Sequence, residues 1–148
     1  MNPEVTTLGL LYALATGHPD AWLLKQYADS ARVPPVLVWA VAYQESEHNL
    51  NPALRGHHCA KLPTCEVGRF QILPSTAKVR CPDLNVFIYR DNIKCGVRYL
   101  RYWYDVQGSW EEAVRAYQCP KCKWRTPYEK DVMAIVGRFE LRLGRELP

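Results

Sequence analysis

The chain has 148 residues, a length that implies one domain. A domain of this size buries about 70% of the surface its unfolded chain exposes, enough for a core and a cleft. Apolar content of 48% and charged content of 23% are those of an ordinary globular protein. No apolar run approaches the ~18–20 residues of a membrane helix, so no membrane span is expected. The formal net charge of +4 is spread over scattered basic residues, and no nucleic-acid motif accompanies it, so no nucleic acid is expected as a partner.

Helical periodicity runs through nearly the whole chain. The apolar stretch from Leu8 to Ala15 is short, lacks a leading Lys or Arg, and follows Glu4. It reads as a first helix over about Thr6 to Thr16 rather than as a signal peptide. A second helix is predicted from about Pro19 to Ala31, with Ala21, Leu24, Tyr27 and Ala28 on one face. Pro34 and Pro35 open a third, since proline is tolerated in a first turn. Its run VLVWAVAY is wholly apolar, which marks a helix buried in the core.

From Asn51 to Cys65 two Pro, a Gly and two Cys predict a loop, with room for a small hairpin between Arg55 and Phe70. Pro74 sits near the start of a short helix. Asn92 to Trp103 reads as helix, with Ile93, Val97 and Leu100 on one stripe, and Gln107-Gly108 breaks it. Ser109 and Glu112 have the spacing of a capping box and open a helix through Tyr117. CPKCKWRTP is a loop, and Tyr128 to Leu143 forms a last amphipathic helix. The expected class is all-α, as a single domain over residues 1–148.

Glu45 is the most informative residue. It follows the apolar run from Val36 to Tyr43, and its neighbours one turn back are Val41 and Ala42. Desolvation disfavours the ionised carboxyl there, and so does the negative end of the helix dipole. A raised pKa is what a general acid needs near neutral pH. Glu47, two residues on, points elsewhere.

The string AYQESEHNLNPAL resembles the signature of the soluble lytic transglycosylases and the related goose-type lysozymes, through Glu45, Ser46, Asn51, Pro52 and Ala53. The resemblance continues in order through Gly68, Gln71, Pro74, Thr76 and Ala77. It goes on through Asn92, Ile93, Gly96, Tyr99 and Leu100, then Ala116, Tyr117 and Gln118, and ends at Tyr128. It covers about residues 31–136. The sequence departs from the pattern in Cys65 and Glu66, where the family usually has Gly-Ala, and in Gln118, where it has Asn.

The resemblance implies a lysozyme-like α domain with its cleft between helical lobes. It also implies a monomeric enzyme acting on the glycan strands of peptidoglycan. Glu45 would be the single catalytic acid and base, needing no metal or other cofactor. It would cleave the bond between N-acetylmuramic acid (MurNAc) and N-acetylglucosamine (GlcNAc) and leave a 1,6-anhydro end. Ser46, Gly68, Gln71, Tyr117, Gln118 and Tyr128 would bind substrate or orient the acid, Gly68 by letting the backbone approach it. Such an enzyme acts at the cell wall. With no signal peptide read in the sequence, delivery by lysis or by a virion is expected, as for a phage lysin.

Two rivals remain. A hydrolytic muramidase on the same scaffold would need a second carboxylate, for which Glu66 is the one nameable residue, though a loop-surface role is its plainer reading. A non-catalytic wall-binding protein is the other.

Six cysteines are many for the length. A disulfide between Cys81 and Cys95 would staple an irregular stretch to the following helix. Cys59, Cys65, Cys119 and Cys122 lie in two loops that flank the cleft in the family. They suit either a structural zinc ion or two local disulfides. His57 and His58 read as loop surface.

Overall fold

The computed structural model describes residues 20–48 and 65–146, with side chains to residue 139. Six helices carry the described chain, with no strand among the described residues. They are α1 (Ala21–Ala31), α2 (Pro35–Ser46), α3 (Pro74–Arg80), α4 (Tyr89–Gln107), α5 (Trp110–Gln118) and α6 (Pro127–Glu146). The class is all-α, as the periodicity predicts. The first predicted helix and most of the Asn51–Cys65 loop, with His57, His58 and Cys59, lie outside the described residues.

Each boundary has a local cause. α1 stops where Arg32 turns left-handed and donates its N–H to Ala28 and Asp29. α2 begins with Pro35 in its first turn and ends at Glu47, which is also left-handed, with φ 52°. α4 starts at Tyr89, three residues ahead of Asn92, and ends at Gly108 with φ 88°, where glycine alone is unstrained. Ser109 caps α5 by accepting from the Glu112 amide at 3.2 Å. The Glu112 carboxylate accepts from the Ser109 hydroxyl rather than reaching its backbone amide, so half of the expected capping box forms.

α2 packs on α1 and α6, α4 packs on α1 and α5, and α5 joins α6. Leu24, Val38, Val41, Phe70, Ile93, Leu100, Val114 and Val132 are fully buried where these helices meet. Most of the segment expected to hold a hairpin, up to residue 64, lies outside the described residues, and what the described part adds is short. It is a single antiparallel bridge between Val67 and Ile72, with N–H···O distances of 2.9 and 3.0 Å.

Cys81 and Cys95 form the expected disulfide, with Cα atoms 5.8 Å apart, and tie the end of α3 to α4. Cys119 and Cys122 are bonded to each other, 5.5 Å apart, in the loop between α5 and α6. Cross-links stabilise chiefly by restricting the unfolded chain, and more so for longer loops. Replacing both Cys81 and Cys95 by serine should therefore lower unfolding free energy by about 3 kcal/mol, against about 2 for the Cys119–Cys122 pair. Urea denaturation of the two double variants checks the order. A larger loss from the short loop would contradict it.

Candidate active site

The apolar run of α2 continues to Ala42 in the core and brings Glu45 to the last turn, where the helix emerges into a cleft. Its carboxyl is part-buried there. The Tyr128 hydroxyl, from the first turn of α6, donates to Glu45 Oε1 at 2.6 Å. Burial pushes the Glu45 pKa from an ordinary 4.5 up to about 7, and the charge of Glu66 pushes the same way. The Tyr128 hydrogen bond opposes both, because it favours the ionised form. Burial and the nearby Glu45 charge raise the phenols of Tyr117 and Tyr128 well above 10. Both therefore remain donors at any pH the protein meets.

The cleft, of about 170 Å³, is lined by Glu45 and by Glu66, Gln71 and Ile72 from the turn. Leu73 and Thr76 line it at α3, Tyr99 from α4, and Tyr117, Gln118 and Pro120 from the end of α5. Glu66 is thus both an exposed loop residue, as the sequence suggests, and a second carboxylate facing the same space as Glu45. Glu47 is exposed outside it.

The turn from Val67 to Ile72 is held in an unusual shape. Gln71 has φ 47°, a left-handed conformation that a non-glycine residue keeps only when its surroundings enforce it. Both its amide and its side-chain Nε2 donate to the Gly68 carbonyl, at 3.1 and 2.7 Å. Asn92 of α4, fully buried, fixes the rest. Its Nδ2 donates to the carbonyls of Val67 (2.8 Å) and Val86 (3.0 Å), and its Oδ1 accepts from the Phe70 amide (2.9 Å).

Gly68 has φ 74° and is itself buried. A Cβ there would come 2.5 Å from Asn92 Nδ2. The space that glycine leaves is filled by Asn92. Gly96 does the same for Phe70, whose ring would lie 2.4 Å from an added Cβ.

Of the other expected residues, Gln71, Tyr117 and Gln118 all reach the cleft. The Tyr117 hydroxyl donates to the Phe70 carbonyl at 2.7 Å, so its ring lines the cleft while its polar end braces the turn. The Ser46 hydroxyl donates back to the Ala42 carbonyl at 3.1 Å, one helical turn away, instead of towards Glu45.

Three contributors carry no site role in the sequence reading. Asn92 is marked in sequence by its place in the family pattern and by being a polar residue beside an apolar stripe. Tyr99 lines the cleft and packs on Tyr117, with ring centroids 5.2 Å apart. Arg69 is buried and joins Asp20 ahead of α1, the Tyr89 hydroxyl (2.9 Å) and His48 Nδ1 (2.7 Å). No local pattern announces Arg69, since its partners come from three distant segments.

Of the alternatives for the four loop cysteines, the three described ones take the disulfide. Cys119 and Cys122 are bonded to each other, and Cys65 is also disulfide-bonded, so these sulfurs are not the thiolates a zinc site needs. Among the described residues no group of three or more His, Cys, Asp or Glu is placed to hold a metal.

Two consequences of the Glu45 environment are measurable. Tyr128→Phe removes the hydrogen bond that favours the carboxylate, so the Glu45 pKa should rise above about 7, read by carboxyl ¹³C NMR titration. Glu45 also costs stability. The unfolded carboxyl ionises from about 4.5 while the folded one keeps its proton to about 7, so stability falls as pH rises through that window. Glu45→Gln should be more stable than the wild type by roughly 2–3 kcal/mol at pH 8 and equal to it below pH 4.5, by urea denaturation. A difference independent of pH would refute the assignment.

Residues 23–131 match the family described as Transglycosylase SLT domain. No curated protein matches the chain.

Proposed function

From a chain that belongs to the Transglycosylase SLT domain family, we propose a peptidoglycan lytic transglycosylase with Glu45 as its acid and base. The observation that carries the reading is a cleft carboxyl whose pKa lies at about 7 and whose orientation is set by Tyr128. Such a group holds its proton in a useful fraction of molecules near neutrality and gives it up readily.

The reaction runs in two proton transfers. Glu45 donates its proton to the oxygen bridging MurNAc C1 and GlcNAc C4, and the C1–O bond breaks. The electron pair leaves with the GlcNAc oxygen, and positive charge develops at C1. Glu45, now a carboxylate, then accepts the proton of the MurNAc C6 hydroxyl as that oxygen bonds to C1. The products are a GlcNAc 4-hydroxyl end and a 1,6-anhydro-MurNAc end. The acid regains its proton and no water is consumed. Tyr128 stabilises the carboxylate between the two transfers. The Gln71 and Gln118 amides suit the acetamido groups of the strand, and Tyr99 and Tyr117 offer ring faces to the sugars.

Glu66 favours a second reading. A carboxylate opposite the acid is what a hydrolytic muramidase uses to take a proton from water, and Glu66 faces the same cleft. Mass spectrometry of digested cell wall separates the two. Anhydro ends are expected; reducing ends that disappear in Glu66→Gln would establish hydrolysis instead. Glu45→Gln should lower wall lysis by at least about 10³-fold while the fold is kept. Lysis unchanged by it would remove Glu45 as the acid of either enzymatic reading, and wall binding without lysis by either protein would leave the wall-binding reading.

A further inference from the structure

The cleft does not end at the residues beside Glu45. Thr76 of α3 lines it, and Arg80 lies four residues further along the same helix. Tyr99 of α4 lines it, and Tyr102 lies three residues further. These spacings keep each pair on one helix face, so both walls continue by one turn in company. There the two meet. The Arg80 guanidinium carbon sits 3.6 Å from the centre of the Tyr102 ring, and its Nη2 donates to the Tyr102 hydroxyl at 2.7 Å. The Tyr102 ring in turn runs parallel to that of Tyr99, at an interplanar angle of 5° with centroids 6.4 Å apart. A continuous aromatic support thus leads from the cleft to a fixed cation.

That cation has donors to spare. A guanidinium carries five N–H groups, and one is committed to Tyr102. Neighbouring arginines of α4 are neutralised: Arg98 pairs with Asp83 at 2.6 Å and Arg101 with Asp105 at 3.0 Å. No ion pair among the described residues involves Arg80, which is exposed. Seated on a ring, it has already lost much of the rotamer freedom that binding would otherwise cost. The cleft itself carries the two carboxylates Glu45 and Glu66.

We propose that Arg80, seated on Tyr102, binds a carboxylate of the glycan strand at a subsite one helical turn beyond the reacting sugars. The proposal rests on the peptidoglycan reading of the cleft. In that substrate each MurNAc bears a lactyl arm, which ends either in its own carboxylate or in a peptide with carboxylates of its own. The planar fork of arginine matches that group with two parallel hydrogen bonds. Glu66 within the cleft repels the same group, which favours a strand placed with that carboxylate at Arg80.

The test uses the full-length Glu45→Gln protein, so that nothing is consumed, with and without Arg80→Gln. Binding to three ligands is measured by titration calorimetry: GlcNAc oligomers without any carboxylate, glycan strands stripped of peptide by an amidase, and strands that keep their peptides. Unfolding midpoints of the two proteins are compared alongside. Arg80→Gln should weaken binding to the carboxylate-bearing strands about tenfold and leave the GlcNAc oligomers within about twofold. A loss confined to the stripped strands assigns the lactyl carboxylate, a loss confined to peptide-bearing strands assigns the peptide, and a loss on both assigns a site that takes either carboxylate; each supports the subsite. Equal loss on all three ligands, or no loss on any, overturns it. Failure of the Arg80-intact protein to bind any of the three overturns the functional reading as well, which separates the two outcomes.

Discussion

The cleft wall opposite the acid hangs from one buried side chain, Asn92. Three backbone groups from three places, the Val67 and Val86 carbonyls and the Phe70 amide, have their partner in it. The Val67 carbonyl also accepts from Ile72, but the Val86 carbonyl and the Phe70 amide would otherwise be polar groups in the core without water, each at a cost of about 1–3 kcal/mol. The two glycines of the region follow from this demand. Gly68 leaves room for the Asn92 amide, and Gly96 lets the Phe70 ring lie on α4. Once the turn is pinned, Gln71 is held in its left-handed conformation and presented to the cleft, and the Phe70 carbonyl is aimed at Tyr117. A polar residue inside the core thus specifies the geometry of a surface opening.

The acid side works by the opposite principle. There a polar group is left incompletely satisfied, and the protein accepts the loss of stability. α2 is apolar nearly to its end, so Glu45 has little water to stabilise its charge, and among the described residues it is Tyr128 that answers it directly. The rigid Asn92 turn and the tightly packed α2–α6 pair hold this uncomfortable group in place. The two walls differ in kind: one is over-determined by hydrogen bonds, the other is kept poised by their scarcity.

Much of this was legible in the sequence where the signal is local. The paired prolines and apolar run delimit α2, Gly108 breaks α4, and Ser109 caps α5. Glu45 stands out because a charged residue follows, one position on, an unbroken apolar stretch that ends at Tyr43. Features that depend on distant partners were less visible. Arg69 looks like any loop arginine until Asp20, His48 and Tyr89 surround it. The need for glycine at position 68 is plain from sequence, but its cause, the Asn92 amide, is not. The Cys119–Cys122 spacing suits a zinc knuckle and a disulfide equally, because two thiols three residues apart satisfy both geometries. Glu66 is exposed, and exposure alone does not distinguish a solvated loop from a cleft wall.

The hydrogen bond between Tyr128 and Glu45 spans 83 positions of chain. A protein is synthesised from its N-terminus, and its elements pack as they emerge. α1 to α5 therefore emerge before Tyr128 does. The hydrogen bond that orients the Glu45 carboxyl forms only when α6 docks on α2. The order of residues along the chain becomes an order of events in time.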